Sequence, residues 1–158
     1  MQRKPKSKTV KQSRVTLNAL MTPADQNYKG FVFGGVILKM IDHAAYVCAR
    51  KHSGNYCVTA SFDHVIFKKP IRVGDLVTVA AEVNFAGRTS MEIGIEIISE
   101  NLETKKVEHA NSSYVTMVAV DSKGNPVKVP RLIPQTAEEK RRYKEAEKRY
   151  LARKKGKK

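Results

Sequence analysis

The groups able to do chemistry gather between Asn27 and Asp42. Asp42 lies within an apolar run, Val36 to Ala49, interrupted only by Lys39, Asp42 and His43. A carboxylate in such a stretch needs a reason. It is paired with a neighbour, it faces solvent, or it works as general base or nucleophile. Gly34 and Gly35 stand where the run begins. A helix starting there presents unbonded N–H groups and the positive end of its dipole. Glycines let an anionic oxygen approach those amides closely, which is one way to build an oxyanion hole. Close packing and a tight turn into the helix are the other readings. Asn27 opens the preceding loop, and its side chain alone reads as an Asx-turn.

Other routes to catalysis are poorly supplied. His43, His52, His64 and His109 form no spaced metal set. His43 adjoins the acid, but successive helix residues do not face one another. No GxSxG nucleophile motif occurs. Cys48 and Cys57 lie in apolar sequence, as buried free thiols of a reducing compartment would. With a charged N-terminus that lacks an apolar core, the expected location is cytoplasmic.

The chain has 158 residues and a net charge of +15. Residues 1–13 hold five Lys or Arg, and residues 138–158 hold eleven against four acids. Residues 14–137 carry fourteen basic and eleven acidic residues, a net of +3. The charge therefore belongs to the ends, and 1–13 reads as a disordered basic arm.

Positioning the central groups falls to a helix followed by strands. Val36, Ile37, Met40, Ile41, Ala44, Ala45, Val47 and Cys48 keep helical spacing with apolar residues around most of the circumference, so the helix should be wrapped by other structure. It is too short and too charged to span a membrane. Gly54-Asn55 ends it. Arg14–Met21 reads as a short strand before it. Strands are then expected over Tyr56–Phe67, Leu76–Phe85, Thr89–Glu100 and Val107–Val120, the last with a bulge. In the third, Met91, Ile93, Ile95 and Ile97 share one face, and Glu92, Gly94 and Glu96 the other. Residues 127–134 are extended. Thr136–Lys154 is a charged helix with a Thr-Ala-Glu-Glu cap and a Glu145–Arg149 pair. This order is α+β: a long antiparallel sheet wrapped around one central helix, with a charged C-terminal helix, which is the hotdog architecture. The divisions are 1–13, a body of 14–135, and a helix and basic tail of 136–158. Such a sheet leaves an open edge, so pairing with a second copy is expected.

Asn27-Tyr-Lys-Gly30-Phe-Val-Phe-Gly34-Gly35 followed by Met40-Ile-Asp42 resembles the acyl-CoA hydrolase branch of the hotdog thioesterases. This branch holds the bacterial YciA-type enzymes and the brain-type cytosolic acyl-CoA hydrolases. The resemblance continues through Val58-Thr-Ala-Ser61, Pro70, Val73-Gly74-Asp75, Arg88-Thr-Ser-Met-Glu92 and Tyr114-Val-Thr-Met-Val-Ala-Val-Asp121, covering residues 14–150. It implies hydrolysis of fatty acyl-CoA to fatty acid and CoA. Gly34 and Gly35 would form the oxyanion hole, Asp42 would be base or nucleophile, and Asn27 would orient water or the thioester carbonyl. Asn27 and Asp42 would meet across a dimer interface, with three dimers in a hexamer. The family's CoA contacts match Ala60, Ser61 and Phe62, and Thr89, Ser90 and Met91. Arg88, Arg131 and Arg149 are candidates for the nucleotide phosphates. No metal or bound redox cofactor is implied, CoA being part of the substrate. The alternatives are a basic-tailed binding module for RNA or another polyanion, and an acyl-CoA sensor without turnover. Nucleic acid is not the expected partner, because no strand interleaves basic and aromatic residues.

Overall fold

A computed structural model describes residues 6–156. The elements are β1 (Lys8–Thr9), β2 (Val15–Leu20), α1 (Gly34–Ser53), β3 (Tyr56–Asp63), β4 (Asp75–Ala86), β5 (Ser90–Asn101), β6 (Val107–Val120), β7 (Leu132–Ile133) and α2 (Ala137–Lys155), with 3-10 turns at Val10–Gln12 and Pro23–Asp25.

In α1, Ile37, Ile41, Ala44, Ala45, Cys48 and Ala49 recur at three- and four-residue steps and are buried together. Gly54 stops the helix in a left-handed conformation (φ 72°), its N–H donating to the Arg50 carbonyl at 2.9 Å. Its composition predicts a helix wrapped all round, but in the single chain Leu38, Lys39, His43 and Val47 remain exposed.

Five strands form one antiparallel sheet in the order β2-β4-β5-β6-β3. Period-two alternation sends Val77, Val79, Ala81 and Val83 of β4 and Met91, Ile93, Ile95 and Ile97 of β5 to the face that packs on α1. Val115, Met117 and Ala119 of β6 complete that face. Full burial of each isoleucine is worth roughly 1.5–3 kcal/mol.

β3 is shorter than its composition predicts. It ends at Asp63, because His64 takes a positive φ of 55° and turns the chain away. Its register slips between Thr59 and Ser61, which makes Ala60 a bulge. The bulge expected in β6 falls at Ala110, opposite the Ile97–Ile98 step. A further slip at Asn84 of β4 has no signal in the sequence.

The N-terminal arm also differs from expectation. Lys8–Thr9 pairs in parallel with Leu132–Ile133, and Val10 is 2% exposed. Val10 seats the segment on the core, and Lys8 holds it there, its N–H donating to the Arg131 carbonyl at 2.9 Å and its Nζ to the Lys51 carbonyl at 2.6 Å. Residues 1–5 of the expected disordered arm lie outside the described residues.

α2 lies across the outer face of the sheet. Its cap is the expected reciprocal box: the Glu139 N–H donates to Thr136 Oγ1 at 3.1 Å, and the Thr136 N–H donates to Glu139 Oε2 at 3.2 Å. Phe85 receives Tyr143 and Tyr150, with ring centroids 5.1 and 5.0 Å away. Carboxylates on the outer sheet face take the helix's arginines: Glu82 pairs with Arg142, and Glu92 with Arg149 and Arg153. Arg149 therefore reaches across to the sheet and not to Glu145, which bonds Arg141. Glu92, expected on a solvent face, is 2% exposed beneath α2. Part of the basic C-terminus thus holds the helix to the sheet.

Candidate active site

Asp42 lies just over two turns into α1, half-buried, on the side toward β3. Thr59 Oγ1 donates to Asp42 Oδ1 at 2.5 Å and also lies 3.4 Å from Met117 Sδ. A hydroxyl bonded to one carboxylate oxygen fixes the rotamer and leaves Oδ2 for another proton. Thr59 is absent from the residues singled out in the sequence. The signal available was a small hydroxyl residue in Val58-Thr-Ala-Ser61, but only the β3 register sets it opposite the helix acid.

Gly34 and Gly35 form the first turn of α1. Their N–H groups make no hydrogen bond among the described residues, while the next amide, Val36, donates to the Phe33 carbonyl at 2.9 Å. A Cβ at Gly35 would meet the Phe33 ring, so a side chain there would require that exposed ring to swing aside. Unbonded amides at a helix N-terminus can stabilise an oxyanion.

Asn27 does make the Asx-type turn. Its Oδ1 accepts from the Lys29 N–H at 2.9 Å and the Phe31 N–H at 3.2 Å. That orients the carboxamide and leaves Nδ2 without a partner among the described residues. Asn27, Gly34, Ile37, Phe67 and Ile71 line a cleft of about 420 Å³. Asp42 does not line it. The single chain therefore sets Asn27 beside Gly34 in the cleft and Asp42 beside Thr59, in two separate places.

The other expected contacts divide in the same way. Ala60 is exposed at the bulge, with Ser61 and Phe62 following on β3. Thr89 and Ser90 are partly exposed at the start of β5, but the Met91 side chain is buried in the core and offers only its backbone. β6 separates these two groups, since Met91 pairs with Met117 and Met117 with Thr59. Arg88 is exposed in the β4–β5 turn, and Arg131 beside β7. The Arg149 guanidinium is not free for a phosphate. It bonds Glu92 at 3.0 and 2.7 Å and stacks 3.9 Å over the Tyr114 ring.

Among the described residues no group of three or more His, Cys, Asp or Glu could hold a metal. Burial pushes the Cys48 thiol up to about 12, and raises Cys57 as well, so neither presents a thiolate at neutral pH. His52 is buried against the Pro130 carbonyl, 3.0 Å from Nε2. No helix among the described residues is long and apolar enough to cross a membrane.

Three comparisons bear on this geometry. The family model described as "Thioesterase superfamily" matches residues 29–106. The uncharacterized acyl-CoA thioester hydrolase YkhA of Bacillus subtilis is 40% identical over 135 residues, covering 85% of this chain and 78% of that protein. A hexameric acyl-CoA thioesterase, solved in its apo form, superposes with a TM-score of 0.90 at 43% identity, covering 95% of this chain and 96% of its own. The acyl-CoA hydrolase of Staphylococcus aureus, solved with butyryl coenzyme A, coenzyme A and coenzyme A disulfide, gives a TM-score of 0.87 at 37% identity over 96% of this chain and 92% of its own. Structures also exist of that hydrolase with an asparagine, an aspartate or a threonine replaced by alanine. Those three positions have the same separations along the chain as Asn27, Asp42 and Thr59.

Proposed function

The chain belongs to the thioesterase superfamily, and on that premise we propose that it hydrolyses fatty acyl-CoA to free fatty acid and CoA. The observation that carries the reading is the Thr59–Asp42 hydrogen bond, in a helix whose first amides are unbonded. A water, deprotonated by Asp42, adds to the thioester carbonyl. The oxyanion is held by the Gly34 and Gly35 amides. The C–S bond then breaks, and the CoA thiolate takes the proton back from Asp42. Direct attack by Asp42, through an anhydride that water opens, uses the same groups.

The two half-sites are completed by a second copy, with Asn27 of one chain facing Asp42 of the other. Supporting this is the open edge at β3, which exposes Tyr56, Val58 and Phe62 by 62, 50 and 40%. Three such dimers would make a hexamer, the assembly named for the 43%-identical thioesterase. CoA would run past Ser61 and Phe62 of β3 and Thr89 and Ser90 of β5, with Arg88 and Arg131 as cations for its phosphates. The two inert thiols suit a reducing, cytoplasmic setting.

The test is thiol release from acyl-CoAs of increasing chain length, with wild type beside Asp42→Ala. Loss of the base should slow turnover by about 10²- to 10⁴-fold in a protein that keeps its fold. Full activity in Asp42→Ala would dispose of the assignment.

A further inference from the structure

The edge strand β3 carries Thr59 and the residues expected along CoA, yet among the described residues only β6 pairs with it. The Ala60 bulge divides it into Tyr56–Thr59 and Ser61–Asp63. The first part is tied on the inner face, through Thr59 to Asp42. The second is tied on the outer face, by α2.

Residues from three strands meet there. Ser61 stands opposite Thr116, and Thr116 opposite Glu92. Asp63 stands opposite Tyr114. Over this patch α2 lays two arginines one turn apart. Arg149 bonds Glu92 and stacks on Tyr114. Arg153 reaches both Asp63 at 3.3 Å and Glu92 at 3.8 Å. Arg153 thus links the last residue of β3 to the buried carboxylate of β5. His64 then leaves the strand with a positive φ, and the chain is next tied to β6 only at Ile66, whose carbonyl accepts from Asn111 Nδ2, and at Lys68, whose N–H donates to the Ala110 carbonyl at 3.2 Å.

We propose that Arg153 is a positioning residue for substrate binding. Through Asp63 it holds Ser61–Asp63 in register for the CoA arm, while the bulge isolates Thr59 and the hydrolytic step from it. The proposal rests on the acyl-CoA reading above and adds α2 to the determinants of substrate affinity.

The expected signature is a split between KM and kcat. Arg153→Met keeps the apolar stem and removes the charge. It should raise KM for acyl-CoA about fivefold, as for loss of one half-buried ion pair, and leave kcat within about twofold. Asp63→Asn should give the same effect, the two together no more, and Arg153→Lys should stay near wild type. Hydrogen exchange supplies a readout independent of turnover: amides of Ser61–Asp63 should exchange faster in Arg153→Met, and those of Tyr56–Thr59 should not change. An unchanged KM in Arg153→Met would overturn the proposal. So would a fall in kcat matching the rise in KM, or equal loosening on both sides of the bulge. Wild-type turnover is the separate test of the acyl-CoA reading, and the exchange result stands whether or not the protein turns over substrate.

Discussion

Arg149→Met isolates the ionic anchor under α2. The Glu92 side chain is fully buried and receives two hydrogen bonds from Arg149, at 3.0 and 2.7 Å. Asn84 Nδ2 contributes a long bond at 3.4 Å, and Arg153 stands at 3.8 Å. Methionine preserves the packing on Tyr114 but leaves Glu92 with only those two weaker partners. Removing one member of a buried pair costs about 3–5 kcal/mol. Arg149 keeps 26% of its side chain exposed and Arg153 stands close by, so roughly 2–4 kcal/mol is expected here. For a chain of this length that lowers Tm by roughly 5–15 °C. The assay is thermal unfolding at fixed protomer concentration, because assembly shifts Tm by mass action. Adding Glu92→Met removes the stranded carboxylate and should restore most of the loss, giving a coupling of about 2 kcal/mol or more. A Tm for Arg149→Met within about 1 °C of wild type, or a double variant worse than both singles, would show that this pair does not anchor α2.

Two other outcomes follow from single side chains. Thr59→Ala removes the hydrogen bond to Asp42 and should lower kcat roughly 10- to 100-fold, as loss of a bond to a charged group does, whereas Thr59→Ser retains the donor and most of the rate. An unchanged kcat in Thr59→Ala would remove Thr59 from the site. His52 is held below its ordinary value by burial, aided by the charge of Lys8 and opposed by the Pro130 carbonyl. The folded state therefore disfavours the charged ring. Its stabilising effect is complete above about pH 6.5 and is lost as pH falls from there toward the lower folded-state value. Denaturant titrations between pH 7 and pH 5 should show that decline in wild type and a flatter curve in His52→Gln. Parallel curves would show that His52 is not the titrating group.

What the sequence made legible was whatever repeats with a period or caps an end. α1 and its Gly54 stop, the alternation of β4 and β5, the Thr136 box and the bulge in β6 all follow from local chemistry. Features set by distant chain were not legible. Glu92 alternates as a solvent-facing residue and is buried only because α2 returns across the sheet. The basic segment is ordered by Val10 in the core together with its pairing to Leu132–Ile133. Thr59 meets Asp42 because of the β3 register. The site divided in the same way. Residue types and order marked Asn27, Gly34, Gly35 and Asp42, but not that one chain would keep Asn27 in a cleft apart from Asp42.

That separation also supplies the most direct test of the account, subunit complementation. Asn27→Ala and Asp42→Ala chains are each prepared, then unfolded and refolded together in equal amounts. If Asn27 of one chain serves Asp42 of the other, half of the dimers are mixed and each mixed dimer has one intact site. The mixture should then recover about a quarter of wild-type acyl-CoA turnover, while each variant alone stays near background. A refolded, assembled mixture no more active than its parts, beside an active wild type, would contradict a site shared between subunits.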